Sequence, residues 1–279
     1  MANFTTADIK ALREKTGAGM LDVKKALDEA NGDIEKALEI IRVKGLKGIA
    51  KREGRSASAG LILVSIVDEE KGQAGVMIEL NSETDFVAKN EKFIEFANKV
   101  MQAGLDAKVS NLDELLAAPT EEGTVQDLVD SIAAVIGEKI VVRRIVRITG
   151  EKVTSYLHYT SKDLPPQVGV LVASDNNGQQ VARDIAMHIA AYSPTYLSRQ
   201  DVPAEIVDKE RATLEETTRA EGKPEAAISK IVEGRLNGFY KECVLLDQPY
   251  AKDPKMSVGQ IVSDAKGEIT AFARFRVGA

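Results

Sequence analysis

Residues 79–90, Glu79-Leu80-Asn81-Ser82-Glu83-Thr84-Asp85-Phe86-Val87-Ala88-Lys89-Asn90, mark a change of period in the chain. Before them, residues 61–67 and 76–80 are β-rich runs separated by a turn signal, Asp68-Glu69-Glu70-Lys71-Gly72. After them, Phe86, Phe93, Ala97 and Val100 keep helical register to about residue 103. The segment therefore carries a strand into a helix, and a hairpin followed by a helix is an α+β pattern. Two readings of the junction stand side by side. In one, Ser82 or Thr84 caps the helix, Asp85 complements its dipole and Phe86 packs inward. In the other, Phe86 faces outward on a rigid turn and serves as an aromatic anchor for a partner's pocket.

Downstream, residues 124–136 read as another helix, with Thr124 and Asp127 at capping-box spacing and Gly137 as its stop. Strand patterns follow at 140–148, 153–159 and 168–173. Asp175-Asn176-Asn177-Gly178 turns the chain into a helix over 179–192, ended by Ser193-Pro194. Strand, strand, helix thus occurs twice, and two similar α+β halves are expected. Residues 203–220 and 225–240 are long helical patterns joined by Glu221-Gly222-Lys223-Pro224. Ile206, Leu214 and Thr217 face one way on the first; Ile228, Val232, Leu236 and Phe239 do so on the second. So narrow a stripe on a charged surface reads as a projecting helical hairpin, or short coiled coil. A short helix at 257–265 and a strand at 269–277 close the chain, the strand completing the second sheet.

Upstream, the first 45 residues read as three short helices. Thr5 or Thr6 caps the first, with Asp8 near its positive end, Ile9 and Leu12 as its apolar face and Thr16-Gly17 as its stop. The second covers about 20–30, with Val23, Ala26 and Leu27 on one side. Asp33 caps the third, where Ile34, Ala37, Leu38 and Ile41 keep the spacing and Gly45 terminates it. Lys44, Lys47, Lys51, Arg52 and Arg55 against Glu53 make residues 44–55 basic. A solvated linker or helix extension explains them better than a nucleic-acid arm, because no aromatics are interleaved. The expected units are 1–54, an N-terminal helical module with its basic linker; 55–139, a first core subdomain; 140–197 with 242–279, a second; and 198–241, the hairpin.

Composition removes several classes of function. The net charge of −6 and the 5 % of aromatics, with no Trp, argue against a stacking platform or broad phosphate-backbone binding. The single Cys243 excludes a disulfide framework within the chain and a Cys-rich zinc module. No run approaches the roughly 20 apolar residues of a membrane span. The first residues lack a secretory pattern, so Asn3-Phe4-Thr5 is a chance glycosylation match and a reducing, cytoplasmic compartment is expected. No phosphate-cradling glycine loop, zinc-protease helix or nucleophile elbow occurs. His158, in a strand pattern, and His188, in a helix pattern, read as structural or surface residues, and Cys243 as a small core filler.

Leu12-Arg13-Glu14-Lys15-Thr16-Gly17-Ala18-Gly19-Met20-Leu21-Asp22-Val23-Lys24-Lys25-Ala26-Leu27 resembles the N-terminal signature of the bacterial elongation factor Ts family. ELNSETDFVAK, residues 79–89, resembles its second signature. IGEKIVVRR from Ile136, SYLH from Ser155, AMHIAA from Ala186, and GKPE and IVEGRL in the hairpin follow in family order, so the resemblance spans essentially the whole chain. It implies a guanine-nucleotide exchange factor for the translational GTPase EF-Tu, in both its GDP-bound and nucleotide-free forms. It also implies a ubiquitin-associated-like N-terminal helical module, two α+β core subdomains with antiparallel sheets, and an inserted coiled coil. By this resemblance Thr84, Asp85, Phe86 and Val87 insert near the GTPase's Mg²⁺ and nucleotide. Arg13, Thr16 and Met20 contact the same GTP-binding domain, and Ile136, Gly137 and His158 lie near another EF-Tu domain. Nucleotide and Mg²⁺ then belong to the partner; no cofactor, metal, nucleic acid or membrane is expected on this chain. Many family members carry a further helical module after the final strand. Here the sequence stops at Phe275-Arg276-Val277-Gly278-Ala279, so contacts of that module are expected to be missing or replaced. Two other classes remain: a binding module fused to an unrelated enzyme, which would need a catalytic constellation, and an RNA binder using 44–55, which would show steep salt dependence.

Overall fold

The computed structural model describes residues 3–16 and 18–279, and the side chains of these except 14, 15, 46, 47, 49 and 50. Three helices come first: α1 (Thr6–Thr16), α2 (Met20–Glu29) and α3 (Ile34–Arg52). Thr5 and Asp8 cap α1 reciprocally, the Thr5 amide donating to the Asp8 carboxylate (2.7 Å) and the Asp8 amide to Thr5 Oγ1 (3.2 Å). Left-handed Asn31 and Gly32 turn α2 into α3. Leu12, Val23, Ala26, Leu27, Ala30 and Ala37 form the small core between the three. The stop assigned to Gly17 lies outside the described residues.

The first core unit begins with β1 (Ala59–Glu69) and β2 (Gly72–Ser82), paired antiparallel along their length. The strands zip up to Glu69 and Gly72, so the turn shrinks from the expected 68–72 to Glu70-Lys71. Next come α4 (Asp85–Ala88) and α5 (Glu91–Asp106), not one helix over 86–103. Asn90 makes the break: its side chain accepts from the Lys92 amide (2.9 Å) and restarts the helix as a fresh N-cap. α6 (Leu112–Ala117), too short to show a period in sequence, is capped by Asn111. A small ladder, β3 (Pro119–Thr120) with β4 (Gly123–Thr124), leads into α7 (Val125–Ile136). Here the Thr124–Asp127 capping box and left-handed Gly137 are both present. β5 (Val141–Gly150) then pairs with β2, giving a sheet of order β1-β2-β5. The sheet thus runs past the 139/140 boundary drawn from sequence. The reason is that β2 is buried along nearly all its length and its backbone groups need a partner strand on each side. α5, α6 and α7 cover one face around Phe93, Phe96, Val100, Leu115 and Val125.

Gly45 does not end α3. A Cβ there would lie 2.8 Å from that of Ala134, so the glycine lets α3 cross closely over α7. Arg52 donates to the Ala133 carbonyl (2.9 Å) across the same contact. The basic segment is therefore helix as far as Arg52.

The second unit contains β6 (Lys152–His158), β7 (Val168–Ser174), α8 (Gln179–Tyr192), α9 (Ala204–Ala220), α10 (Glu225–Cys243), the short pair β8 (Pro249–Tyr250) and β9 (Asp253–Ser257), α11 (Val258–Asp264) and β10 (Ile269–Arg276). β10 completes a sheet of order β10-β7-β6, covered on one face by α8 and α11 around Val170, Val172, Ile185, Ile189 and Val258. The other faces of the two sheets meet at Ile62, Met77, Val153, Leu171, Ala173 and Phe275. The result is an α+β fold in which helices flank two stacked antiparallel sheets. In the α9–α10 hairpin, Ile228, Val232 and Leu236 are buried as the pattern requires. On α9 the buried threonine is Thr218, not Thr217, and its hydroxyl donates to the Leu214 carbonyl (2.6 Å).

Candidate partner interface

The end of β2 is anchored from below by a buried carboxylate. Glu79 accepts from Arg144 Nε (2.6 Å), Asn81 Nδ2 (3.1 Å) and the Gly278 amide (2.9 Å). The Arg144 guanidinium also lies over the Phe275 ring, 4.3 Å from its centroid. A buried charge is tolerable only with such pairing. Directly after buried Asn81 and Ser82, the chain leaves the sheet at Glu83 and Thr84.

Every polar group of Thr84 is engaged. Its amide donates to Glu138 Oε2 (3.0 Å) and its hydroxyl to Glu138 Oε1 (2.7 Å). The same hydroxyl oxygen accepts from the Val87 amide (3.4 Å), the N-cap bond of α4. The Thr84 carbonyl accepts from Ser82 Oγ (2.9 Å) and the Ala88 amide (3.3 Å). Val87 and Ala88 pack into the core, while Asp85 and Phe86 face solvent. Phe86 is 73 % exposed, and Lys89 Nζ lies 4.7 Å from its ring centroid. Elements of both sequence readings hold: Thr84 is a cap, but Val87 packs inward and Phe86 points out.

Gly137, left-handed at the end of α7, turns the chain so that Glu138 reaches Thr84. Ile136 and Gly137 therefore adjoin the exposed turn. Thr16 and Gly137 line one cleft of about 980 Å³ between the N-terminal helices and α7. The Thr16 hydroxyl is taken by the Leu12 carbonyl (2.7 Å). Arg13 is exposed, and Met20 and Leu21 are 61 % and 72 % exposed at the start of α2. His158, exposed at the end of β6, has Nδ1 3.2 Å from Tyr156 Oη. It shares an end of the stacked sheets with residues 84–87: Gln167, whose amide donates to the His158 carbonyl, also donates from its side chain to Gly60, which pairs with Asn81. Glu138 escaped sequence reasoning because its partner is 54 residues away, and no local pattern marks the contact.

Elsewhere, burial pushes the Cys243 thiol up, keeping it protonated at neutral pH. Among the described residues, no group of three His, Cys, Asp or Glu side chains is placed to hold a metal ion, and no helix is long and apolar enough to cross a membrane.

A family model described as Elongation factor TS matches residues 83–279. The chain is 62 % identical over 281 residues to Elongation factor Ts of Beutenbergia cavernae, 61 % to that of Micrococcus luteus and, over 282 residues, 59 % to that of Renibacterium salmoninarum. Each comparison covers the whole of both chains. The chain belongs to the elongation factor Ts family. An elongation factor Ts serves translation elongation as a nucleotide exchange factor for EF-Tu, without covalent chemistry of its own. The exposed turn at 84–87 and its Glu138 brace fall inside the region matched by the elongation factor Ts model; Arg13, Thr16 and Met20 fall within the full-length relatives.

Proposed function

We propose that this chain speeds GDP release and GTP reloading on EF-Tu by inserting Thr84, Asp85, Phe86 and Val87 beside the partner's Mg²⁺ and nucleotide. The observation that carries this reading is Phe86, a largely exposed ring on a turn whose backbone is fixed. Burying such a side chain in a partner is worth about 1.5–3 kcal/mol. Ordering a mobile turn on binding would cost about 1–2 kcal/mol for each residue fixed. A turn already braced by Glu138 avoids most of that loss.

The physical mechanism is linkage. If the factor binds nucleotide-free EF-Tu more tightly than the GDP form, GDP and factor weaken each other by the same ratio. Mg²⁺ neutralises phosphate charge, so shifting the groups around it loosens GDP with no bond made or broken. Phe86 is the wedge. Asp85, with its carboxylate in solvent, perturbs partner groups near the metal and does not hold the metal itself, since a lone carboxylate is a poor Mg²⁺ site. Exchange is accelerated in both directions, and the nucleotide supply sets its net sense. The N-terminal helices dock on the GTP-binding domain through Arg13, Thr16 and Met20; the exposed Met20–Leu21 pair supports this. Ile136, Gly137 and His158 face a second EF-Tu domain. The protein works in the cytoplasm without direct nucleic-acid contact.

The test is release of labelled GDP from EF-Tu with Phe86→Ala. The variant is expected to fold normally and to lose about 2 kcal/mol of interaction, the scale of an interface hot spot. A wild-type release rate would overturn the wedge.

A further inference from the structure

We infer that Glu138 is the positioning residue of the exchange loop, and that Glu83 and Lys139 tie that loop to the end of the N-terminal helices. The inference rests on the reading of Phe86 given above and adds residues to which that reading assigns no such role.

The two strands of chain, 83–84 and 138–139, exchange hydrogen bonds reciprocally. The Glu138 carboxylate takes the Thr84 amide (3.0 Å) and hydroxyl (2.7 Å). In return the Lys139 amide donates to the Glu83 carboxylate (2.7 Å). One carboxylate gripping both the amide and the hydroxyl of one residue fixes its backbone and its χ1 rotamer together. Thr84 is held extended, at φ −123° and ψ 155°. Because Thr84 caps α4, its orientation sets which way that single turn faces, and hence whether Phe86 or Val87 points outward. The brace is needed because four residues of helix are too few to be stable alone.

The latch continues toward α3. Lys139 Nζ donates to the carbonyls of Glu53 and Arg55, and the Arg55 guanidinium reaches Glu83 Oε2 (3.3 Å). The chain leaving α3 and the chain entering α4 are therefore fastened to the same two residues, Glu83 and Lys139. This holds the N-terminal helices and the Phe86 ring in fixed relation, so both can meet one partner domain without a search.

A double-mutant cycle tests the assignment with full-length protein. Maximal release of labelled GDP from EF-Tu, at saturating factor, is measured for wild type, Glu138→Gln, Phe86→Ala and the double variant. Thermal unfolding is followed in parallel. Gln keeps one acceptor but presents an amide to the other donor, so Glu138→Gln should lower the maximal rate about tenfold with little change in unfolding midpoint. In the Phe86→Ala background Glu138→Gln should have much less effect, because the ring is gone and only Asp85 is left to aim. Thr84→Val, which removes the hydroxyl from the other side of the latch, should reproduce the loss, and Thr84→Ser should restore it. If Glu138→Gln fails to fold, the cycle of Thr84→Val with Phe86→Ala takes its place, and losses that multiply there would overturn the positioning role. Effects of Glu138→Gln and Phe86→Ala that multiply would overturn the positioning role, as would a wild-type rate for Glu138→Gln beside a slow Phe86→Ala. A wild-type rate for Phe86→Ala itself would instead remove the loop reading on which the inference stands.

Discussion

At the scale of single residues, His188 shows how a buried side chain sets a pH limit. The Ala251 amide can only donate, so Nδ1 accepts it (3.2 Å) and the proton sits on Nε2, which donates to Gln248 Oε1 (2.8 Å). Gln248 in turn donates to the Glu242 carbonyl (2.8 Å) at the last turn of α10. The ring stacks on Tyr192, with Tyr250 beyond it. Asp184, one helical turn back on α8, and Lys252, next to Ala251, pair with each other (2.7 Å). Burial pushes the His188 pKa below the ordinary 6.5. The native state therefore prefers neutral imidazole, while the unfolded chain takes up a proton near pH 6.5. Stability from this group is complete above that pH and drains away as pH falls below it. Asp175 and Asp201, whose carboxyls accept hydrogen bonds that hold them low, act in the same sense but only in more acid solution. The midpoint of thermal unfolding should fall between about pH 7 and about pH 5, and His188→Gln should flatten that slope. A flat profile in the wild type would contradict this account. The sequence read His188 as structural or surface; it could not supply Gln248 or Ala251. Nor could it choose between Phe86 and Val87, because one residue rotates a helix by only about 100° and a distant carboxylate decides the angle.

At the scale of elements, caps were legible and crossings were not. Thr5, Thr124 and Gly137 announce helix ends through bonds to near neighbours, and the structure places the ends there. Asn90 carries the same kind of signal, but the apolar register continuing through Phe93 and Ala97 masks it. Gly45 is ambiguous in sequence, because a glycine after an apolar stripe has two uses, as a stop and as a low point where another helix passes. In an open helix Gly→Ala gains up to about 1 kcal/mol. At Gly45 the new methyl would stand 2.8 Å from Ala134 Cβ, and neither atom can rotate aside. Overpacking of this kind costs about 1–3 kcal/mol. Gly45→Ala is therefore expected to destabilise the α3–α7 contact on balance. Limited proteolysis should cut faster between residues 53 and 58; cleavage at the wild-type rate would show that the helices can separate freely.

At the scale of the whole molecule, the two halves could be read from their repeated order of elements, but their assembly could not. Pattern alone cannot say that β5 returns to β2, or that the two sheets lie back to back. Gly75 and Gly169 let the sheets approach closely: a Cβ at 75 would sit 2.7 Å from Val153 Cγ1, and one at 169 would sit 2.6 Å from Ile62 Cγ2. Met77 could bend away from a methyl at 169, but β-branched Ile62 is fixed by its strand. Gly169→Ala should cost about 1–3 kcal/mol. That corresponds to a fall of roughly 2–5 °C in unfolding midpoint for a chain of this length. GDP release below the transition should stay as in the wild type, and a raised midpoint would mean the sheets have slack. The helical hairpin obeys a different rule. The Thr195 and Tyr196 amides both donate to the Cys243 carbonyl (2.9 and 3.0 Å), and the Leu245 amide donates to Tyr196 (2.8 Å), so the chain departs and returns through adjacent points. Its length is thereby an adjustable parameter: matched turns can be spliced into or out of this antenna, altering its reach while the body beneath keeps its wiring.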